Sequence, residues 1–113
     1  MADKRGQKRH RKRLKVRYGI EDAATMGFTE DISEQGIFIK TGVTKPPQTV
    51  LTIELTTPDD DLIVMEGTVQ WVKNFPPSML RAGKKGGMGI KISRVVSGEK
   101  AYRKLWEMLN SVI

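Results

Sequence analysis

Alternation of apolar and polar side chains, repeated in short segments along most of the chain, limits the fold more than any other feature. Leu14, Val16 and Tyr18 alternate with Lys15 and Arg17; Leu51, Ile53 and Leu55 alternate with Thr52 and Glu54; Met88, Ile90 and Ile92 alternate with Gly89, Lys91 and Ser93. A period of two gathers one set of side chains on a single face, as a half-buried strand requires. Residues 24–33 are a weaker strand candidate, 36–41 a short one and 50–56 a clear one. Residues 62–74 read as one long strand in which Gly67 marks a bulge or a corner. The connections have turn chemistry: GVTKPP, and TPDDD at 57–61, while FPPSMLRAGKKGG at 75–87 reads as a loop.

Six such strands with short connections predict a mainly β chain, a closed six-stranded antiparallel barrel. The period changes near the C-terminus. Ser97 is the expected N-cap, Glu99 falls in the first turn, and Tyr102, Leu105, Trp106, Leu109, Val112 and Ile113 recur at helical spacing. The pattern predicts an α-helix over about 97–113 that closes an end or side of the barrel. A length of 113 residues suits one core. The expected organisation is a basic N-terminal arm at 1–13 followed by a single domain at 14–113.

The chain has no cysteine, which excludes disulfides and thiolate metal sites. Its longest aliphatic run, LIVM at 62–65, is far below the about 20 residues that cross a bilayer. Its basic N-terminus is not followed by the apolar segment of a secretory leader. These features lead us to expect a soluble, cytoplasmic protein with no membrane insertion.

Net charge is +7, and its distribution is informative. Residues 1–18 hold nine Lys or Arg and one acid, whereas 19–113 hold eleven bases and twelve acids. The whole excess therefore lies at the N-terminal end, which points to an anionic partner: nucleic acid, an anionic lipid surface or a small phosphorylated ligand. Arg9 and Arg13, three residues apart just before the first strand, form R-x-x-x-R. Asp31, Ser33 and Gly36 form D-x-S-x-x-G at the end of the second strand.

The pair in this order resembles the signature of PilZ domains, receptors for the bacterial second messenger cyclic di-GMP. GIFIKT after the second motif, GTVQWV in the long strand, GMGIKI in the last strand and the terminal helix are similar to the rest of the family pattern, over roughly residues 8–113. The resemblance implies a ligand-binding set of Arg9, Arg13, Asp31, Ser33 and Gly36, with the arginines closing from the arm onto the Asp-Ser-Gly turn. Secondary contacts are expected from Lys8, Arg11 and Trp71. Trp71 has two readings, a core residue of its strand or a flank for a ligand base. Lys8 stands where family members often carry arginine, which leaves open whether one ligand or an intercalated pair binds.

The residue types suit such a ligand. A guanidinium fork matches both a phosphate and the O6/N7 edge of guanine, and a carboxylate such as Asp31 accepts from guanine N1–H and N2–H. The Ser33 hydroxyl can serve phosphate or base, and Gly36 permits positive φ or close backbone approach. Residues 1–12 contain no apolar side chain beyond Met1 and Ala2, so a flexible arm that orders on the ligand is expected. The sole histidine, His10, has no partner for metal or base chemistry and reads as a spacer. No nucleophile elbow or paired catalytic carboxylates occur. The expected protein is therefore not an enzyme and needs no cofactor; it is a sensor whose liganded surface meets a downstream protein partner. The alternative, a small nucleic-acid-binding barrel tracking phosphates with its arm, is disfavoured by an aromatic content of 6% and by the lack of an exposed aromatic ladder. A PilZ-like adaptor working through protein contacts alone is disfavoured by the intact motifs.

Overall fold

The computed structural model describes residues 9–81, 83 and 86–111. Among the described residues seven strands and two helices follow in chain order: β1 (His10–Arg11), β2 (Lys15–Gly19), β3 (Thr25–Ile32), β4 (Gly36–Lys40), β5 (Val50–Thr56), β6 (Leu62–Lys73), α1 (Pro77–Arg81), β7 (Gly87–Ser97) and α2 (Glu99–Asn110). Antiparallel pairing runs β3-β2-β5-β6-β7-β4, and β4 pairs back with β3 to close a six-stranded barrel. β1 is an addition to the ring. It pairs with the end of β3 that extends past β2, with His10 opposite Ile32 and Arg11 opposite Asp31.

The inward-facing residues of the alternating segments form the core. Val16, Tyr18, Ile39, Leu51, Ile53, Leu55, Ile63, Val69 and Met88 are fully buried. Each large aliphatic side chain removed from water contributes about 1.5–3 kcal/mol, and a one-residue slip of β5 would expose Leu51, Ile53 and Leu55 together. The alternation therefore fixes the register as well as the strands. At one end of the barrel the Tyr18 hydroxyl donates to the Val43 carbonyl and accepts from Thr41 Oγ1 at 2.8 Å. Burial pushes the Tyr18 pKa up, partly opposed by the Thr41 hydrogen bond. Toward the other end α2 packs Leu105, Trp106 and Leu109 on the core.

Two local expectations change. Ser97 is the last residue of β7 and not a cap; Gly98 caps α2 in the left-handed region at φ 85°, and its carbonyl accepts the Tyr102 N–H at 2.8 Å. An added Cβ there would lie 2.4 Å from the Leu62 carbonyl oxygen, so no serine-type cap fits. The expected 75–87 loop contains the short helix α1, started by Pro77, whose missing N–H costs nothing in a first turn. Of the expected arm, residues 9–13 lie along β3, while residues 1–8, Lys8 among them, fall outside the described residues together with Val112 and Ile113.

Candidate ligand-binding face

The register of the barrel lines up one row of outward positions. Arg11 faces Asp31, Asp31 faces Phe38, Phe38 faces Gly89 and Gly89 faces Trp71, across β1, β3, β4, β7 and β6. Directly opposed residues project to the same side of a sheet, so these groups share the outer wall. At the far end Trp71 lies across Gly89, where an added Cβ would come within 2.2 Å of the indole Nε1. This close approach lets the indole stack on Phe38, with ring centroids 5.2 Å apart and planes 23° from parallel. Trp71 is 50% exposed while Phe38 beneath it is 8% exposed. The core reading of Trp71 is thus replaced by a surface platform. Its cause is a register shift between Val69 and Trp71, which ends the in-out alternation and turns Trp71 outward.

The two motifs meet at the other end of the row. Arg9 Nη1 lies 3.8 Å from Asp31 Oδ2, an ion pair without hydrogen-bond contact whose side chains stay 66% and 32% exposed. Arg13 is exposed, and its guanidinium carbon sits 4.1 Å above the centre of the Phe28 ring. A cleft of about 540 Å³ opens here, with Arg11, Arg13, Phe28, Glu30 and Lys40 among its lining residues.

Ser33 and Gly36 close the hairpin between β3 and β4. The Ser33 N–H donates to the Gly36 carbonyl at 2.8 Å, and the Ser33 hydroxyl lies 3.2 Å from both the Gly36 N–H and its carbonyl oxygen. The hydroxyl is buried and serves the turn. Gly36 satisfies the close-approach reading, because an added Cβ would stand 2.5 Å from the Ile90 carbonyl oxygen. The Ile92 N–H reaches the Gln35 carbonyl at 2.9 Å and ties this turn to β7.

Four residues near the site escaped the sequence reading. Phe28, Phe38 and Lys40 were legible in principle, since Gly27 and Thr29, then Ile37 and Ile39, occupy the inward positions between them. Thr29 is buried at 2% and had no such signal. His10 is more than a spacer: its ring is 5.9 Å from that of Trp106, and its Nε2 lies 3.2 Å from Asn110 Oδ1. One face of β1 thus touches α2 while Arg9 and Arg11 serve the other.

Such a fold, with a basic segment laid against an Asp-x-Ser turn on its outer wall, defines a small β-barrel domain with a cationic, partly aromatic face. The PilZ domain family model matches residues 3–109, and the chain belongs to that family. Among solved structures, the Bacillus subtilis inhibitor of motility (MotI/DgrA) superposes with a TM-score of 0.73 at 20% sequence identity. The match covers 96% of this chain and 50% of that one, so the chain spans about half the length of that neighbour. No curated protein sequence is significantly similar to this chain. Among the described residues no helix is long and apolar enough to cross a membrane.

Proposed function

We propose that the chain is a non-catalytic cytoplasmic receptor for cyclic di-GMP, which binds on the outer wall and alters the surface offered to a protein partner. One observation carries this reading: the strand register sets Asp31, Phe38 and Trp71 in one outward row, with Arg9 paired to Asp31 and Arg13 resting on Phe28 of the same strand as Asp31. A cyclic dinucleotide needs cations for two phosphates, a carboxylate for the guanine N1–H and N2–H edge, and a flat apolar surface for a base. Arg9 and Arg13 supply guanidinium forks for phosphate or the O6/N7 edge, with Arg11 and Lys40 adding charge. Asp31 accepts from guanine in place of its loose contact with Arg9. Trp71, backed by Phe38, presents a face for stacking, a contact worth about 1–3 kcal/mol per base. Ser33 and Gly36 hold the turn that aims Asp31, and the buried Ser33 hydroxyl acts through that turn.

Calorimetric titration tests the assignment. Cyclic di-GMP should bind, and cyclic di-AMP should bind at least about a hundredfold more weakly, because adenine offers a donor where the fork needs an acceptor and lacks the N1–H that Asp31 takes. Equal affinities would refute the Arg and Asp roles. Binding to single-stranded nucleic acid with a steep salt dependence, and none to the dinucleotide, would favour the polynucleotide reading instead.

A further inference from the structure

We propose that Phe28 and Thr29, which belong to neither motif, are positioning residues that present Arg13 to the ligand; this rests on the receptor reading above. The arm and β3 differ in length where they run together. Arg11 pairs with Asp31 and Lys15 with Phe28, so five residues of the arm face four of β3. Lys12 N–H donates to the Glu30 carbonyl at 3.2 Å and Thr29 N–H to the Leu14 carbonyl at 2.8 Å, which makes Arg13 the supernumerary residue at the crest of a bulge.

A bulged residue loses the ladder that would fix its backbone. Here one side-chain hydroxyl replaces it on both sides. Thr29 Oγ1 donates to the Lys12 carbonyl at 2.5 Å and accepts the Leu14 N–H at 2.8 Å. These are the two peptide groups that flank the Arg13 α-carbon, so the hydroxyl fixes the direction in which Arg13 leaves the strand. The Phe28 ring then holds the guanidinium at 4.1 Å, above the cleft it shares with Lys40. A backbone clasp and an aromatic rest together restrict Arg13 before any ligand arrives, which lowers the ordering cost of binding. Arg9, with a single loose contact to Asp31, has no such support among the described residues.

The test uses the full chain with Thr29→Val, which keeps the shape and removes the hydroxyl, Thr29→Ser, which restores it, and Phe28→Leu. Each is made in the parent and in an Arg13→Ala background, and cyclic di-GMP affinity is measured by calorimetry alongside thermal melting. Thr29→Val should lose about tenfold in affinity, Thr29→Ser should stay within about twofold of the parent, and Phe28→Leu should lose about threefold. In the Arg13→Ala background the losses from Thr29→Val and Phe28→Leu should shrink to within about twofold, as residues acting through Arg13 require. Without ligand, tryptic cleavage after Arg13 should quicken severalfold in Thr29→Val and not in Thr29→Ser. Equal losses in both backgrounds, or a serine variant as weak as the valine one, would overturn the inference. Should Thr29→Val fail to fold, the Phe28→Leu cycle on the outer wall decides. A parent that does not bind cyclic di-GMP would overturn the receptor reading, whereas a parent that binds and is indifferent to Thr29→Val would overturn this inference alone.

Discussion

The two halves of the paired signature are held by different physics. The Asp31–Gly36 hairpin is part of the barrel wall: Ser33 is spent on the turn, Gly36 lies against the β7 backbone, and the neighbouring loop carbonyl is tied to Ile92. The arm is an annex of two paired residues, and its motif side chains are solvent-exposed. The wall half is rigid because moving it would break several backbone contacts at once. The outer end of the arm, where Arg9 has one loose contact, can yield by losing few, whereas Arg13 is seated by the Thr29 clasp. A receptor assembled this way has a fixed floor and an adjustable clamp, so substitutions in the two halves should fail differently.

The largest effect belongs to the floor. In Gly36→Val the new side chain would begin 2.5 Å from the Ile90 carbonyl oxygen, so β4 must move away from β7. Overpacking of this kind costs about 3 kcal/mol, and the melting temperature and the cyclic di-GMP affinity should fall together. A Gly36→Val protein that melts like the parent would show the hairpin to be as pliant as the arm. The clamp should behave oppositely. If the proposed site is right, Arg9→Ala and Arg13→Ala should each remove charge-assisted hydrogen bonds to the ligand, lowering affinity by on the order of a hundredfold while stability stays within about 0.5 kcal/mol. Parent-like binding by both variants in calorimetry would remove the arm from the site.

This contrast also explains what the sequence made legible. β5 and the inward side of β7 were readable because large aliphatic residues alternate with polar ones without interruption. β3 read as weak because its inward positions include Gly27 and Thr29, which no hydrophobicity pattern marks as buried, yet it became the strand that carries the arm. The motif residues were found through their spacing, which says nothing about what each contacts. Trp71 was ambiguous because bulges are set by strand pairing, and pairing partners distant in sequence leave no local trace. The role of His10 depends on Trp106 and Asn110, about a hundred residues away, and was invisible for the same reason.

Trp71 sharpens the comparison, since it is wall-mounted but exposed. Trp71→Ala should lower cyclic di-GMP affinity by about tenfold through lost stacking. The barrel should tolerate it better than Gly36→Val, because half of the indole already faces solvent. Trp71→Phe should recover most of the affinity if stacking is the contact. Quenching of tryptophan fluorescence by the ligand in the parent, with Trp106 as the remaining emitter in Trp71→Ala, gives an independent readout. No affinity change in Trp71→Ala would confine the site to the β1–β3 side of the wall.

The smallest effect concerns what keeps the arm against the wall in the first place. Charge alone would drive it off, since seven Lys or Arg crowd residues 8–17 and repel one another. Opposing this are the two-residue pairing with β3, the Lys12 and Thr29 hydrogen bonds beside it, and the contact of His10 with α2, where a tilted ring pair adds to one hydrogen bond between Nε2 and Asn110. A neutral hydrogen bond in a partly exposed setting contributes about 1 kcal/mol, enough to change the open population of the arm about fivefold. Proteolysis follows that population when opening is fast relative to cleavage. In His10→Ala, limited tryptic cleavage at Arg9 and Arg11 should therefore rise about fivefold in the ligand-free protein, with the melting temperature of the barrel little changed. Saturating cyclic di-GMP should suppress the difference, because a ligand bridging Arg9 and Asp31 supplies a stronger hold than the histidine does. Affinity should drop only about threefold, the cost of ordering an arm that starts further open. If cleavage at Arg9 and Arg11 is the same in His10→Ala and the parent, the pairing with β3 alone seats the arm and α2 has no hold on the clamp.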